Sequence, residues 1–593
     1  MKKIITTTLI LSSIFLFGQE KIDEINLYPD IVVESEKYNA NGESVLIDNI
    51  QVVDVKTGKI TTKDVLVTNK KIAKISKSIK PETSYKVIDA SGKWMIPGLI
   101  DSHIHLFQSG GLYTRPDVAN LKQFKDYEDE RTWLKRYTTD FLKRYLRCGI
   151  TTVIDVGGPI YNFDLRDKYA DISEYPNIFI TGPLVSTYQP KAFEIENAPI
   201  IKANTPEEAR ELVRKQIPLK PDFIKIWYIA RSKKDEEKNY QIVKATIDEA
   251  HKNNLKVAVH ATELSTAKKA IKAGANFLVH SVEDEKIDDE FIKMVKDNNV
   301  SYIPTLIVMK NYIKSFSQNI APSKEDFNIS NPTVLGSLYD SKKLEMKSLK
   351  HWERWKSYAN NNKVKLENDE KLMAYNLKKA IDNGFNVATG TDAGNIGTLH
   401  ATSLFDEMIA MKKAGLTNLQ VLQTSTINGA KILDKQKELG SIEEGKLADL
   451  VILNENPLEN LEAVKAIDFV IKGGTAFPVY GIIKDTPEQL VQRQVNGYNA
   501  GDIDAFLEPY SDDFEIYDYP NKLKGKGKAN FKGGYAKLFK TYPNLHCEIV
   551  KRMVLGNKVI DYERITGISD KPIEAIAIYE IKNGKISKVT FVN

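Results

Sequence analysis

Short apolar runs alternate with longer amphipathic stretches through the central part of the chain. Eight of these runs have the length and composition of buried strands, and a helical pattern follows each one: GLIDSHIHL, GITTVIDVGG, NIFITGPLV, DFIKIWYI, KVAVHA, NFLVHS, VSYIPTLIV and FNVATGTDAG. Such alternation is typical of parallel strands covered by helices. It predicts an α/β fold with a (β/α)₈ barrel, or TIM barrel, over residues 100–435. A doubly wound open sheet is the alternative, although no G-x-G-x-x-G motif follows the first strand.

The segments on both sides of the predicted barrel have a different pattern, with β-rich runs separated by turns. Residues 44–99 contain SVLIDNIQVVDV, DVLVTN and KKIAKISKSI, and residues 436–480 contain GKLADLVILNENP and AIDFVIKGGTAF. Both patterns indicate hairpins. We expect the two segments to form one small β-sandwich that flanks the barrel.

Residues 485–593 have a third pattern, in which two helical stretches and a strand precede long strand-like runs. This pattern predicts a separate α+β domain after a short linker. A polar, lysine-rich stretch over residues 311–371 predicts a helical insertion after the seventh barrel strand. Insertions on this face of a barrel often cover the active site.

The chain begins with MKKIITTTLILSSIFLFGQE, two lysines followed by an apolar run and then by polar sequence. The apolar run has about 15 residues, which is short for a membrane span and typical of a signal peptide. We therefore predict a signal peptide over residues 1–18 and an exported protein, periplasmic or secreted. No cysteine follows the run, so no stable membrane anchor is expected.

Composition narrows the class of protein further. The apolar and charged fractions, 42% and 27%, are those of a globular protein. The formal net charge is +5, and two of these charges belong to the predicted signal peptide, so nucleic-acid binding is not favoured. Cys148 and Cys547 are the two cysteines, and their separation argues against a disulfide framework.

Four of the eight histidines fall at the ends of predicted strands. His103 and His105 lie two positions apart on one strand and share a face, His260 ends KVAVH, and His280 ends NFLVH. Asp392 ends VATGTD. The carboxyl ends of barrel strands converge on one site, and imidazoles with a carboxylate suit Zn²⁺ or a similar ion. One histidine alone would indicate an ordinary structural residue, but this combination predicts a metal site.

Lys225 lies inside the apolar strand FIKIW, where a charged ammonium is costly and cannot bind a cation. One interpretation is a salt bridge to Asp392 or another carboxylate. The other is carbamylation, in which CO₂ adds to the neutral amine and creates a carboxylate that can bridge two metals.

The chain from about residue 44 to residue 477 resembles the amidohydrolase superfamily, specifically its imidazolonepropionase-like and prolidase-like branch. The resemblance rests on PGLIDSHIHL, FIKIW, VHATE, FLVHS, ATGTDAG, TINGAKIL and GSIEEGKLADLVILNENP. It implies two divalent metals, normally Zn²⁺. His103, His105 and Asp392 would hold one ion, His260 and His280 the other, and N6-carboxylated Lys225 would bridge them.

The resemblance also implies a reaction, in which a metal-bridging hydroxide attacks an acyl carbon and Asp392 passes the proton to the leaving nitrogen. We expect hydrolysis of a non-peptide C–N bond, a cyclic amide or a dipeptide amide. A lactone or imidazolone-type ring hydrolase is an alternative within enzymes, and a non-catalytic ligand-binding barrel is an alternative outside them. The complete set of metal ligands argues against the non-catalytic barrel.

Three further residues are candidates for binding the small-molecule substrate. Arg115, after the first strand, has the fork geometry to pair with a substrate carboxylate. Tyr228 lies three residues beyond Lys225 and is a candidate donor to a developing oxyanion. His400, on the loop after Asp392, is a candidate for orienting substrate. For each of them a purely structural role stays open.

The C-terminal domain resembles the SnoaL-like, or ketosteroid-isomerase-like, cone-shaped α+β domains. The resemblance rests on NGYNAGDIDAFLEPYSDDFEIYD and IYEIKNGKISKVTFV. That family includes both enzymes and members without catalytic activity, so no catalytic residue is transferred. The resemblance leaves dimerisation into a homo-oligomer or ligand capture as roles for this domain.

Overall fold

The computed structural model describes residues 35–39, 43–230, 232–343 and 349–592. The predicted signal peptide, residues 1–18, lies outside the described residues, so export stays a prediction. No helix within the described ranges is long and apolar enough to cross a membrane.

The two β-rich segments that flank the central region share one eight-stranded sheet. Strands are numbered in chain order, and this sheet contains β1 (Val45–Val53), β2 (Ile60–Thr68), β3 (Lys71–Ser76), β4 (Lys86–Asp89), β5 (Trp94–Pro97), β16 (Leu450–Leu453), β17 (Ile467–Lys472) and β18 (Thr475–Pro478). Antiparallel pairing of β5 with β16 joins the segments, with Trp94 opposite Leu453 and Pro97 opposite Leu450. Alternate residues of these strands are buried and form a separate apolar core.

The central region contains the predicted parallel strands in two sheets. One sheet has the order β6 (Leu99–Ile104), β7 (Ile150–Asp155) and β8 (Asn177–Ile180). The other has the order β10 (Ile200–Lys202), β9 (Leu184–Ser186), β11 (Phe223–Trp227), β12 (Lys256–His260), β13 (Phe277–Val279), β14 (Ser301–Ile303) and β15 (Asn386–Val387). All residues of β6 and β7 are buried, as expected for strands covered on both faces.

Backbone hydrogen bonds connect the edges of these two sheets. Ser102 N donates to Thr389 O at 2.9 Å, which places β6 beside the segment that follows β15. At the opposite edge, Asp222 N donates to Ile180 O at 2.9 Å, so the residue before β11 lies beside β8. Both edges of the small sheet therefore contact the large one.

Helices follow the parallel strands, as the sequence predicts. They span Tyr127–Arg136, Thr138–Arg147, Asn162–Tyr169, Pro206–Gln216, Lys233–Lys252, Leu264–Ala273, Asp289–Asp297, Ser403–Lys413, Asn418–Thr424 and Ile427–Ile432. The helix at Pro206 shows why the sequence begins a helix there, since Thr205 accepts a hydrogen bond from Glu208 N at 3.2 Å and proline occupies the first turn.

The predicted helical insertion lies between β14 and β15. Its helices span Val308–Phe316, Lys324–Ile329, Pro332–Leu338, Lys350–Asn361 and Lys363–Asp382. Phe316 stacks on Trp355 with ring centroids 5.1 Å apart, so the first of these helices packs against the fourth. The insertion is thus a packed helical layer with its own apolar cluster.

The C-terminal domain packs three helices on a six-stranded sheet. The helices span Pro487–Ala500, Ile503–Leu507 and Lys528–Thr541, and the sheet has the order β20 (Lys522–Lys526), β19 (Tyr510–Asp518), β24 (Lys585–Val592), β23 (Ile573–Lys582), β22 (Lys558–Thr566) and β21 (His546–Leu555). The sequence did not predict the helix at Lys528. Gly533 and Gly534 lie inside it and each lowers helix propensity by about 1 kcal/mol, so packing stabilises this helix.

Buried polar contacts join the C-terminal domain to the central region. Arg144 pairs with Asp140 at 2.7 Å and with Asp485 at 3.3 Å, and Gln489 donates to Asp140 at 3.0 Å. Asn496 donates to Pro332 O at 2.8 Å, in the helical insertion. The first helix of the C-terminal domain therefore docks on the insertion and on the helix that contains Arg144.

Candidate metal centre and substrate pocket

The histidines and the aspartate predicted as metal ligands converge at the carboxyl ends of the parallel strands. Asp392 Oδ1 lies 3.2 Å from Nε2 of His103 and 3.2 Å from Nε2 of His105. The ring centroid of His280 lies 4.9 Å from that of His103 and 4.4 Å from that of His260. Side chains from four strand ends thus form one cluster.

Two residues of the cluster have a backbone conformation that L-amino acids rarely adopt. The φ angle is 75° at His280 and 59° at Asp392. Such strain costs on the order of 1–3 kcal/mol and persists where the surrounding structure enforces it. Buried Asp101 provides that support next to Asp392, because its carboxylate accepts hydrogen bonds from Thr391 N at 3.1 Å and Thr391 Oγ1 at 2.7 Å.

Hydrogen bonds orient two of the imidazoles. His105 Nδ1 donates to Gly157 O at 2.8 Å, which leaves the lone pair of Nε2 for the centre of the cluster. The hydroxyl of Thr305 lies 2.7 Å from Nδ1 of His280, so that ring also directs its Nε2 away from the contact.

The protonation states in the cluster favour cation binding. Burial lowers the pKa of His103 to about 3 and holds the pKa of His260 and His280 well below the usual range, so these imidazoles are neutral. Burial opposes ionisation of Asp392, but His103 beside it keeps the pKa of the carboxyl well below its usual value. Neutral imidazoles with a carboxylate are the donors that Zn²⁺ prefers.

The unpaired polar atoms of the cluster and the distances between its ligand atoms also suit a bound metal ion. Both ring nitrogens of His103 and Oδ1 of Asp392 are buried and have no hydrogen-bond partner among the described residues. Ligand atoms of His103, His280 and Asp392 all lie within 4.8 Å of one another. Buried polar atoms are normally paired, and bound divalent ions would supply partners for ligand atoms of His103 and Asp392.

Lys225 lies on β11, 1% exposed, and lines the same cavity as the cluster. Asp392 contacts two histidines, and no salt bridge joins Lys225 to a carboxylate of the described residues. The predicted alternative of a salt bridge is therefore not found. Burial lowers the pKa of Lys225 to about 7, which favours the neutral amine, the form that reacts with CO₂.

A cavity of about 390 Å³ opens beside the cluster. Besides His105, Lys225, His260, His280 and Asp392, its lining includes Phe107, Gln108, Arg115, Val118, Leu184, Ile200, Trp227, Thr262, Glu283, Val308, Met309, Tyr312, Trp355 and Asn395. The walls are largely apolar, and the volume is in the range of small-molecule sites. The helical insertion contributes Trp355 and three residues of its first helix, so it covers the site as predicted.

Arg115 reaches the cavity, but its guanidinium already pairs with a carboxylate. Nε donates to Oδ1 of Asp117 at 2.7 Å and Nη2 donates to Oδ2 at 2.6 Å. Its Nη1 donates to Tyr312 Oη at 3.0 Å and to Asn395 Oδ1. The fork predicted for a substrate carboxylate is thus occupied by Asp117, two residues away.

The structure does not bring Tyr228 or His400 into the cavity. Tyr228 is fully buried, and its hydroxyl donates to Glu236 O at 2.8 Å. It lies three positions beyond Lys225, and side chains alternate along a strand, so the two side chains point to opposite faces of the sheet. His400 is buried behind the cavity, with Nδ1 2.7 Å from Tyr145 Oη and Nε2 2.7 Å from Gln108 O. Burial lowers the pKa of His400 to about 4. These positions suit a structural role for both side chains.

Sequence reasoning missed Glu283, Tyr312, Trp355 and Asn395, all of which line the cavity. Glu283 follows a predicted ligand by three residues, and Asn395 follows Asp392 by three, so proximity to strand ends was a usable signal for both. Tyr312 and Trp355 lie in the insertion, whose packing no local pattern reveals.

Comparison with known proteins decides the family of this fold and site. The model of the amidohydrolase family matches residues 94–477, which is more than half of the chain. The chain belongs to the amidohydrolase family. Residues 491–589 match the model of the SnoaL-like domain, as the C-terminal pattern predicts.

Characterised relatives of this amidohydrolase act on carbon–nitrogen bonds. Ochratoxinase from Aspergillus niger is 26% identical over 415 residues, which cover 65% of this chain and 76% of that protein. Imidazolonepropionase from Treponema denticola is 25% identical over 442 residues, which cover 69% of this chain and 90% of that protein. As a member of the amidohydrolase family, the chain is an enzyme, a hydrolase.

Solved structures show the same fold. A Xaa-Pro dipeptidase with bound methionine has a TM-score of 0.55 and 22% identity, with 73% of this chain and 100% of that chain covered. Molinate hydrolase has a TM-score of 0.56 and 20% identity, with 76% and 97% covered. The amidohydrolase region is thus similar over nearly the whole length of both proteins.

Proposed function

We propose that this amidohydrolase is a metal-dependent enzyme that hydrolyses the amide bond of a small molecule. The observation that carries the proposal is the convergence of neutral histidines on Asp392, with buried ligand atoms that lack hydrogen-bond partners among the described residues. His103, His105 and Asp392 would hold one divalent ion, and His260 and His280 a second. Lys225, N6-carboxylated, would join them, and Zn²⁺ suits this donor set.

The contacts at both edges of the β6–β7–β8 sheet also support this placement of the metal ligands. We propose that the parallel strands close into an eight-stranded barrel of β6, β7, β8 and β11–β15. The hydrogen bonds from Ser102 to Thr389 and from Asp222 to Ile180 support that closure. The eight-stranded flanking sheet would then be the small sandwich, since both of its chain segments adjoin barrel strands.

The protein's own residues would position the substrate and move the proton. Divalent ions bound at the cluster would activate water and polarise the substrate carbonyl. The apolar walls would exclude bulk water from the scissile bond. Asp392, ionised and fixed by the Asp101–Thr391 contact, would accept a proton from the attacking water and deliver it to the leaving nitrogen.

The relatives support an amide as the reacting group. Ochratoxinase and imidazolonepropionase are named for their substrates, and a Xaa-Pro dipeptidase shares the fold. The cavity volume of about 390 Å³ suits a small molecule with an apolar body. Hydrolysis of a dipeptide amide, a cyclic amide or another non-peptide C–N bond therefore fits the site.

The proposal is tested by elemental analysis and a hydrolysis screen on the same purified full-length chain. We expect about two divalent ions per chain after growth with zinc, as the number of ligands requires. We expect turnover of amides within panels of dipeptides, cyclic amides and lactones. A metal-free chain that hydrolyses amides would contradict metal dependence, and turnover of lactones alone would favour the alternative ring hydrolase.

A further inference from the structure

An ion pair neutralises the arginine that lines the substrate cavity. Arg115 is the arginine that lines it, and both carboxylate oxygens of Asp117 accept hydrogen bonds from this guanidinium. The Asp117 side chain is 6% exposed, so water does little to weaken the pair. A bidentate pair uses the fork that would otherwise receive a substrate carboxylate.

Nη1 of Arg115 is also engaged. Nη1 contacts Tyr312 and Asn395, and the amide nitrogen of Asn395 donates to Asp392 O at 3.0 Å. Arg115 therefore supports the loop that presents Asp392. Its role in this geometry is to position a proposed metal ligand.

Glu283 is the opposite case, a carboxylate that lines the cavity without a partner. Its side chain is half-buried, and no described residue donates a hydrogen bond to it or forms a salt bridge with it. Burial raises the pKa of Glu283 to about 7, and the charge of Glu263 adds to the effect. An ammonium or N–H group would stabilise this carboxylate, and a second carboxylate would repel it.

Most of the other side chains that line the cavity are apolar. Leu184, Ile200, Val308, Met309 and Trp355 line it together with Trp227. These side chains gain contact with an apolar or aromatic substrate body. Apart from the groups of the metal cluster, the charges that face a bound substrate thus reduce to Glu283.

We propose that the enzyme selects amides with an apolar or aromatic body and an ammonium group that contacts Glu283, and that it discriminates against amides with a free carboxylate. This inference rests on the proposed amidohydrolase function and names its substrate class. Glu283 is the specificity-determining residue, and the Arg115–Asp117 pair is what removes affinity for carboxylates.

Three amides that differ in one substituent test the inference. Phenylalaninamide carries an ammonium group on the α-carbon, 3-phenylpropanamide carries hydrogen, and 2-benzylmalonamic acid carries a carboxylate. Binding to the zinc-loaded full-length chain is measured by calorimetry, and hydrolysis is measured in parallel as ammonia release. We expect the dissociation constants to rise in that order, by about tenfold per step, the effect of one charge contact in a partly buried site.

Two variants with a matched control assign the effect to residues. Glu283→Gln should abolish the preference for the ammonium compound, about a tenfold loss. Glu285→Gln removes an exposed carboxylate from the same loop that does not line the cavity, and it should keep the preference. Asp117→Asn frees the guanidinium of Arg115 and should strengthen binding of 2-benzylmalonamic acid by about tenfold.

The outcomes separate this inference from the function on which it rests. Tightest binding of the carboxylate compound by the unmodified chain would overturn the inference, as would equal effects of Glu283→Gln and Glu285→Gln. If the binding order is as expected but the metal-loaded chain hydrolyses no amide in the wider screen, the proposed function fails and the charge selectivity stands. Hydrolysis of all three amides with equal kcat/KM would leave the function intact and contradict the selectivity.

Discussion

Two groups of buried polar side chains, one in each domain, differ in how their hydrogen bonds are satisfied. In the C-terminal domain, Tyr579 Oη donates to Glu563 at 2.7 Å, Gln494 donates to Tyr579 Oη at 3.1 Å, and Tyr510 Oη donates to Gln494 at 3.3 Å. Each of these four residues is at most 5% exposed. The group forms a continuous chain of hydrogen bonds.

The histidine–aspartate cluster of the amidohydrolase region is also largely buried, but its hydrogen bonds are incomplete. His103 and Asp392 keep unpaired atoms next to a cavity, and His280 and Asp392 have left-handed backbone angles. Unpaired buried atoms and strain are costly, so their coincidence with a cavity indicates a functional site. The satisfied network around Glu563 indicates a structural role instead.

A substitution at Asp392 should have the largest effect on activity. Asp392→Asn keeps the volume and tolerates the left-handed backbone, but it removes the charged ligand and the proton acceptor. We expect kcat to fall by at least about 10². Asp434→Asn is the matched control, because Asp434 also has a φ of 59° and its side chain is exposed. Similar kinetics of both variants would contradict the role of Asp392.

The variant Lys225→Ala tests whether metal binding and activity depend on a carboxylate formed on this lysine. Lys225→Ala should reduce activity by about tenfold or more and lower the metal content. Added acetate or propionate should restore part of the activity, because a short carboxylate can occupy the space of the modified side chain. Absence of rescue with native metal content would contradict the bridging role.

Metal removal should affect the two domains unequally. Chelation should accelerate amide hydrogen exchange in β6 and in the loops after β13 and β15, because a bound ion at 100 times its Kd stabilises by about 2.7 kcal/mol. Strands β21–β24 should exchange at unchanged rates. Equal acceleration in both domains would show that the metal stabilises the chain without a localised site.

Glu563→Gln should have the smallest effect on activity, less than twofold in kcat/KM, because Glu563 lies in the C-terminal domain and does not line the cavity. Its effect on stability should depend on pH. Burial raises the pKa of Glu563 to about 7 from 4.5, so its protonated form favours the folded state and that contribution is lost as pH rises from 4.5 to 7.

Denaturant unfolding of the full chain at several pH values measures this dependence. The stability of the natural chain relative to Glu563→Gln should fall by about 3 kcal/mol across that interval and stay constant above it. A rise with pH would mean that Glu563 has a charged partner in the folded domain.

The sequence predicted much of the fold and the residues that cluster at the site, because both depend on local pattern. Each of the predicted parallel strands was an apolar run, and His103, His260 and Asp392 each fell at or near the end of one. The helix at Lys528 was missed because glycines masked its pattern, and tertiary packing determines it.

The substrate pocket was predictable only in part because it depends on contacts between distant segments. Arg115 lies near the site, and its pairing with Asp117 and its contacts with Tyr312 and Asn395 favour the structural role that the sequence left open. Tyr228 lies on the other face of its strand from Lys225, which alternation along a strand could have shown. His400 packs against Tyr145, a contact across 255 positions that no local pattern contains.

The most direct test of the central claim is a titration of the metal-free full-length chain with Zn²⁺ while hydrolysis of an amide substrate is followed. We expect negligible turnover without metal and a rise that ends near two equivalents per chain, because the clustered ligands suffice for two ions. Full activity of the metal-free chain, with no response to added Zn²⁺, would contradict it.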